Sequence, residues 1–190
     1  MRTRLSTQQR REQLLGIGAG LFAKRPYDEV PIEEVAEIAQ VSRGLLYHYF
    51  PTKKDFFAEI VRGQRDQLLE MSAPDPALPV VEQLRAGLDV YLEFARTHPD
   101  GYRIVHRATG GDDDAIREIR EAGMAANAER ILTALGALTT VTETTRVAVR
   151  GWLTFVATVI LGWLDQPTIT QDELRDLCAR TLFAAVGVTP

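Results

Sequence analysis

The chain is poor in cysteine, with Cys178 as the single example in 190 residues. One cysteine cannot close a disulfide within the chain or build a cysteine-based metal site, which agrees with a reducing compartment. Cys178 lies in an apolar helical pattern without a neighbouring base, and this favours a small core residue over a redox sensor.

Long uncharged hydrophobic runs are also missing. The longest such run in the C-terminal half covers residues 151–164, between Arg150 and Asp165, whereas a membrane-spanning helix needs about 20 residues. We predict a buried helix there and no membrane partner. The basic N-terminal stretch M-R-T-R-L-S leads into no apolar segment with a small-residue cleavage site, so no secretory signal is recognised. The expected location is the cytoplasm.

Motifs of catalysis and metal binding are absent from the sequence. The three histidines, His48, His98 and His106, contain no pair spaced by four residues, the spacing that places two imidazoles on one helical face. We find no glycine-rich phosphate loop, nucleophile elbow or zinc-protease signature. The acidic residues 112–114 suit a helix N-terminus without any ion. We therefore expect no enzymatic activity, no metal and no cofactor.

Charge is distributed unevenly along a chain whose net charge is −4. Residues 1–65 hold 11 Lys+Arg and 8 Asp+Glu, whereas residues 66–190 hold 11 and 18. A mildly basic N-terminal part therefore precedes an acidic body. The first eleven residues contain four arginines, Arg2, Arg4, Arg10 and Arg11. Charge alone leaves two interpretations open, a solvated N-terminus or an arm that contacts phosphates.

Strand-like alternation is missing as well, because the apolar residues recur at spacings of three and four. Prolines divide the chain into segments, and the pattern predicts an all-α protein of about nine helices. Helix 2 starts at Pro31, helix 5 covers residues 80–97, helix 6 residues 99–107 and helix 7 about 112–135. The remaining helices are opened by capping residues: Ser6 with Gln9, Ser42, Thr52 with Asp55, Thr140 with Glu143, and Thr170 with Glu173.

Residues 32–50, I-E-E-V-A-E-I-A-Q-V-S-R-G-L-L-Y-H-Y-F, have the spacing of a helix-turn-helix, two short helices joined by a tight turn at Gln40 and Val41. Ala36 is small where the second helix approaches the first. The predicted inward face is Val35, Ala39, Val41, Leu46 and Phe50. The alternative is an ordinary helical hairpin whose aromatic residues pack internally.

The outward face of the second helix then carries Arg43, Gly44, Tyr47 and His48, and it suits a major groove about 12 Å wide. Arg43 can pair with guanine, and Gly44 permits close approach of the backbone. Tyr47 and Tyr49 offer hydroxyls to phosphates, and Lys53 adds a phosphate contact at the start of helix 4.

Residues 14–57, with "LF…Y…V…EEVAEIAQVSRGLLYHYFPTKKDFF", resemble the N-terminal DNA-binding domain of the TetR/AcrR transcriptional regulators, residue by residue in the order V-S-x-G-x-L-Y-x-Y-F-x-x-K. The resemblance implies a homodimer that binds a near-palindromic operator, usually as a repressor released by a small molecule. It also implies DNA contacts at eight positions: Ser42, Arg43, Gly44, Leu45, Tyr47, His48, Tyr49 and Lys53.

The sequence departs from the family pattern at three positions. Pro31 replaces a threonine, Gln40 replaces the turn glycine, and Leu45 replaces a threonine of the recognition helix. A left-handed Gln40 would cost about 1 kcal/mol relative to glycine. Leu45 cannot donate a hydrogen bond from its side chain but can contact a thymine methyl group, so we expect thymine at that operator step.

The resemblance divides the chain into a DNA-binding domain, residues 1–51, and a ligand-binding and dimerisation domain, residues 52–190, with helix 4 (52–70) as the connection. Aromatic residues on helices of the second domain are more often core than ligand contacts. Even so, we predict pocket walls at Tyr91, Phe94, Trp152 and Phe155. The last two helices predict a dimer interface at Gly151, Val159, Gly162, Trp163, Leu174, Leu177 and Thr181. The alternative is that these faces form the core of the monomer.

The sequence thus predicts a ligand-responsive repressor that binds palindromic operator DNA as a dimer and is released by a small hydrophobic or aromatic effector. Two alternatives remain at this point. One is an architectural or cell-division factor that binds DNA without an inducer, and the other is a helical small-molecule-binding protein that has lost operator binding.

Overall fold

A computed structural model of the protein describes residues 5–107 and 114–188. Over these residues the chain forms nine α-helices and no strand, as the sequence predicts. The helices are α1 (Thr7–Phe22), α2 (Ile32–Ala39), α3 (Arg43–Tyr49), α4 (Lys53–Met71), α5 (Val80–Thr97), α6 (Pro99–Arg107), α7 (Asp114–Leu135), α8 (Glu143–Asp165) and α9 (Gln171–Val186). A single 3₁₀ turn, Tyr27–Glu29, separates α1 from α2. The predictions for Arg2, Arg4, Asp112 and Asp113 concern residues outside the described ranges.

The helix starts follow short-range side-chain capping. Reciprocal capping boxes at Ser6 and at Thr170 open α1 and α9, and the Ser42 hydroxyl caps α3. The start predicted for α8 is wrong. Thr142, not Thr140, is the N-cap, because its hydroxyl accepts from the Thr145 backbone N–H at 3.2 Å while the Thr145 hydroxyl accepts from the Thr142 N–H. Several threonines in this segment have the required spacing of three, and only the observed pair closes the box.

The chain divides into two compact units, Met1–Gln64 and Arg65–Pro190, with the boundary inside α4. In the first unit the core is built from Leu14, Val35, Leu46 and aromatic rings of the α3–α4 region, all nearly inaccessible to solvent. Gly18 of α1 faces this core so closely that an added Cβ would collide with the Phe56 ring. The first unit is therefore held by close helix packing around α1 to α4.

The core of the second unit is formed by inward faces of α5 to α9. Trp152 of α8 is buried, and its indole N–H donates to the Cys178 carbonyl of α9 at 2.8 Å. Cys178 is itself fully buried, as the sequence predicts. Burial raises the pKa of its thiol to about 11, so the thiol stays protonated near neutral pH.

Helix α8 is only partly buried, which corrects the prediction of a buried helix over residues 151–164. Trp152, Val156 and Ile160 face the core, whereas Gly151, Thr154, Thr158 and Gly162 are exposed. Among the described residues it is the one helix whose length and mean hydropathy, 1.7, would allow it to cross a membrane. Core helices of soluble proteins meet the same criterion, so one such helix is weak evidence for a membrane span.

Candidate functional site

The turn between α2 and α3 has the geometry of a helix-turn-helix. Gln40 ends α2 in the left-handed region, with φ 55° and ψ 46°, as the sequence predicts for the position of the family glycine. The Val41 N–H donates back to the Ala36 carbonyl at 3.0 Å. The Ser42 hydroxyl accepts from the Leu45 N–H at 3.2 Å and so begins α3. These short-range bonds fix the direction in which α3 leaves the turn.

Helix α3 presents one face to the core and one to solvent. Leu46 and Phe50 are buried, together with Val35 and Ala39 of the predicted inward face, while Val41 is half-buried. An added Cβ at Gly44 would meet no atom within 4 Å, so the backbone there is open to close approach. On the outer face Ser42, Arg43, Gly44, Tyr47 and His48 are exposed, whereas Leu45 and Tyr49 are half-buried. The structure therefore brings seven of the eight predicted DNA-contacting residues onto or beside one surface.

Lys53, the eighth predicted residue, is held by an aromatic ring. Its Nζ lies 4.2 Å from the centroid of the Tyr27 ring, a cation–π contact. Two other basic residues of this unit form ion pairs: Arg11 pairs with Glu59 at 2.7 Å, and Arg25 pairs with Glu34 at 2.5 Å. To contact a phosphate, the Lys53 ammonium group would have to move away from the Tyr27 ring or interact with both at once.

A hydrogen bond between α3 and α2 was missed by the sequence analysis. The Tyr47 hydroxyl donates to Glu33 Oε1, in the first turn of α2, at 2.8 Å. This bond lowers the pKa of the Glu33 carboxyl and raises the pKa of Tyr47. The two residues are 14 positions apart, so only a known hairpin geometry could have paired them. The outer surface therefore carries a carboxylate beside its cations.

In the second unit, Tyr91, Tyr102 and His106 form a polar aromatic cluster. Tyr91 Oη of α5 lies 3.3 Å from Nε2 of His106 in α6. The Tyr102 ring stands 4.3 Å from the His106 ring and 5.9 Å from the Tyr91 ring. Tyr102 is 3% exposed, and its hydroxyl has no hydrogen-bond partner of good geometry among the described residues, although the nearby Tyr91 hydroxyl interacts with it and contributes to its raised pKa. A buried hydroxyl without a partner is uncommon in folded proteins and calls for an explanation.

The protonation states in this cluster follow from burial. Burial lowers the pKa of His106 to about 4, with a smaller effect from the charge of Arg120. Burial also raises the pKa of Tyr102 well above its usual value. At neutral pH the cluster is therefore uncharged, with two phenol groups and one neutral imidazole. The sequence pattern predicts Tyr91 as a pocket residue and indicates no ligand role for Tyr102 or His106.

The other predicted pocket residues have different surroundings. Phe94 is half-buried and stacks on His98, with ring centroids 4.5 Å apart. Trp152 belongs to the buried core, where its N–H is already satisfied. Phe155 is half-buried against the same core. Of the four predicted residues, only Tyr91 shares the polar cluster described above.

The residues predicted for dimerisation divide into two groups. Gly151 and Gly162 are exposed, and the half-buried members are Val159, Trp163, Leu177 and Thr181. Leu174 is 2% exposed and packs in the core of its own unit, so its assignment to the interface was wrong. Val147, which is not among the residues predicted for the interface, is 66% exposed on the outer face of α8. Together with Thr154 and Thr158, it extends the exposed face to most of the helix.

Two family models match the chain. Residues 14–60 match the model described as "Bacterial regulatory proteins, tetR family", and residues 80–185 match "Tetracyclin repressor-like, C-terminal domain". The second match alone covers more than half of the 190 residues.

Curated relatives match different shares of this chain. The transcriptional activator FasR of Mycolicibacterium smegmatis is 29% identical over 106 residues, 54% of this chain and 48% of FasR. The repressor KstR2 of Rhodococcus jostii is 41% identical over 59 residues, 31% of this chain and 29% of KstR2. These matches span less than half of each relative's length. The regulator EthR of Mycobacterium tuberculosis is 25% identical over 194 residues, 96% of this chain and 78% of EthR.

Solved structures reproduce the fold over nearly the whole chain. A TetR-family transcriptional regulator from Streptomyces coelicolor superposes with a TM-score of 0.88 at 27% identity, covering 96% of this chain and 82% of that one. A TetR-like regulator from a Rhodococcus species gives a TM-score of 0.71 at 21% identity, covering 98% and 100%. At that lower identity, the likeness concerns the fold alone.

Proposed function

Because the chain belongs to the TetR family of bacterial transcriptional regulators, as matches to both family domains show, we propose that it binds a near-palindromic operator as a homodimer and leaves it when a small molecule binds the second unit. The observation that carries this proposal is the exposed outer face of α3, with Arg43, Tyr47 and His48 around the open backbone of Gly44. This face suits insertion into a major groove.

Dimerisation is supported by the outer face of α8. Val147, Gly151, Thr154, Thr158 and Gly162 are exposed on a helix whose overall composition is apolar. Such a face loses little polar solvation when it is covered, and small residues let two helices approach closely. Two copies of α8 and α9 would then form a four-helix bundle. A dimer can place two recognition helices about 34 Å apart, in successive major grooves.

The effector site is proposed at Tyr91, Tyr102 and His106. A buried hydroxyl without a partner costs about 1–3 kcal/mol, and a ligand oxygen that accepts from Tyr102 would remove this cost. The surrounding aromatic rings supply an apolar wall, which suits a flat or aromatic molecule. A hydrogen-bonding oxygen on an apolar body is therefore the proposed effector chemistry.

Release requires that effector and operator favour different conformations of the dimer. The proposed mechanism is that the effector binds better to a conformation in which α4, which contains the unit boundary, holds the two DNA-binding units too far apart for the operator. The coupling is then reciprocal, so saturating operator DNA weakens effector binding by the same factor. Repression is the proposed direction. KstR2 is named a repressor, whereas FasR is named an activator.

The proposal is tested by selecting random-sequence DNA duplexes on the purified protein. The Arg43→Ala variant removes an exposed side chain of α3, and Arg96→Ala removes an exposed arginine of α5 as the matched control. We expect wild type and Arg96→Ala to enrich the same palindrome, and Arg43→Ala to enrich it weakly or not at all. Equal binding to unrelated duplexes would favour an architectural factor, and no binding would favour a small-molecule carrier.

A further inference from the structure

The Tyr47 hydroxyl already donates its hydrogen bond to another side chain of the protein. A phenol carries one O–H donor and two acceptor lone pairs, and this donor is used by Glu33 Oε1 at 2.8 Å. The Tyr47 oxygen can therefore still accept a hydrogen bond from a partner, but it cannot donate one. Glu33 is also an acceptor, with its second carboxylate oxygen. The two side chains together form an acceptor pair on the surface that carries Arg43 and His48.

An acceptor pair is unsuited to phosphates, which are themselves acceptors and carry negative charge. The Tyr47 bond lowers the pKa of Glu33, and the charges of Arg43 and Lys53 act in the same direction. Glu33 is therefore ionised near neutral pH, and it repels a phosphate brought to Tyr47. The sequence-based expectation that Tyr47 gives its hydroxyl to a phosphate conflicts with this geometry.

Base edges in the major groove include suitable donors. Cytosine presents only the N4 amino group there, adenine presents the N6 amino group beside the N7 acceptor, and guanine and thymine present acceptors. A carboxylate that accepts from cytosine N4 is one of the common pairings in protein–DNA complexes. An amino group is therefore the base-edge group that best matches two neighbouring acceptors. Cytosine N4 matches better than adenine N6, because adenine also presents an acceptor beside its amino group.

We propose that Glu33 and Tyr47 act together as specificity-determining residues that accept a hydrogen bond from the exocyclic amino group of one base in each operator half-site. Glu33 holds the Tyr47 hydroxyl in place and sets the direction of its lone pairs. Its charge meanwhile opposes a shifted register that would bring phosphates to this point. The inference rests on the proposed operator binding, and it specifies which chemical group of one base in each half-site is recognised.

The test uses the full-length protein and the palindrome obtained by selection. In one half-site, each cytosine is replaced in turn by 2-pyrimidinone and each adenine by unsubstituted purine, which delete only the amino group. Dissociation constants are measured by fluorescence anisotropy for wild type, Tyr47→Phe, Glu33→Gln and Glu37→Gln. Glu37 is the matched control, because it is an exposed glutamate one turn further along α2.

At one step of the half-site, deletion of the amino group should weaken wild type and Glu37→Gln by about tenfold. The same deletion should weaken Tyr47→Phe by less than it weakens wild type, about threefold, because the Tyr47 oxygen, one of the two acceptors, is already missing. Glu33→Gln carries an amide that can also donate. In a repeated selection it should therefore accept guanine or thymine at that step, whereas Glu37→Gln should select the wild-type sequence.

Three results would overturn the inference. One is a wild-type affinity that no amino-group deletion changes. Another is that Tyr47→Phe weakens binding to operator and to unrelated DNA by the same factor and reduces the salt dependence by about one phosphate contact. Tyr47 would then donate to a phosphate. The third is a Glu33→Gln variant that behaves as Glu37→Gln does. If wild type enriches no sequence at all, operator binding itself fails, and this inference fails with it.

Discussion

Tyr91 of α5 and His106 of α6 share a hydrogen bond, with Oη 3.3 Å from Nε2, inside the second unit. The bond joins two helices and holds a neutral imidazole beside the Tyr102 hydroxyl, which lacks a well-aligned hydrogen-bond partner within residues 5–107 and 114–188. This pair therefore couples the packing of α6 to a group whose protonation depends on pH.

Acid should destabilise the protein through His106. Its pKa is about 4 in the folded state and about 6.5 when exposed. The unfolded state therefore binds the proton first as pH falls, and stability present above about pH 6.5 is lost between pH 6.5 and 4. Among the described residues, the groups that face the ring are Tyr91, Tyr102 and the cation of Arg120, which opposes protonation.

Urea unfolding at pH 7 and pH 5 measures this effect. Between these values wild type should lose about 1–2 kcal/mol more of its unfolding free energy than His106→Gln, which keeps a polar side chain but cannot be protonated in this range. Equal losses in the two proteins would show that His106 does not titrate differently on folding.

Tyr102→Phe should stabilise the ligand-free protein by about 1 kcal/mol, because it keeps the ring and removes a buried hydroxyl that has no well-aligned partner in the described part of the chain. Tyr91→Phe is the matched comparison, since it removes the bond to His106 and should destabilise by about 1 kcal/mol. Thermal and urea unfolding of both variants give the signs. A destabilised Tyr102→Phe would mean that the hydroxyl is already satisfied in solution.

Replacing two glycines of α1 by alanine, one at a time, should change the free energy of unfolding in opposite directions. At Gly18 the added Cβ would collide with the Phe56 ring and with Ile60, so we expect Gly18→Ala to lose about 1–3 kcal/mol through overpacking. At Gly16 the Cβ would meet nothing within 4 Å, and alanine should gain up to about 1 kcal/mol from helix propensity. Urea unfolding of the two variants decides; the same sign for both would contradict the close packing at Gly18.

Gly151→Arg should abolish the dimer and leave the fold intact. An added Cβ at Gly151 meets no atom within 4 Å in the protomer, so the arginine fits a free chain but not a covered face. The control is Ala122→Arg, at an exposed position of α7. Sedimentation equilibrium at micromolar concentration should show a dimer for wild type and the control, and a monomer for Gly151→Arg. A dimeric Gly151→Arg would exclude this part of α8 from the interface.

Local interactions explain what could be predicted from the sequence. The caps at Ser6, Ser42 and Thr170 involve residues three positions apart, and spacing alone reveals them. The same holds for the two faces of α3, because a helical period of 3.6 residues fixes which side chains lie opposite one another. The fold class, the helices and the position of the recognition helix follow from such short-range regularities. The left-handed Gln40 is expected instead from the family resemblance, because Gln40 occupies the position of the turn glycine.

Which helix faces meet was decided only by the tertiary structure. Tyr47 bonds to Glu33 across 14 positions, and Tyr91 meets His106 across 15, because the packing of helices brings them together. Leu174 is apolar, like the residues of an interface, yet it is buried in its own unit. Hydrophobicity is non-directional, so the sequence shows which residues prefer to be covered, whereas the arrangement of the helices determines what covers them.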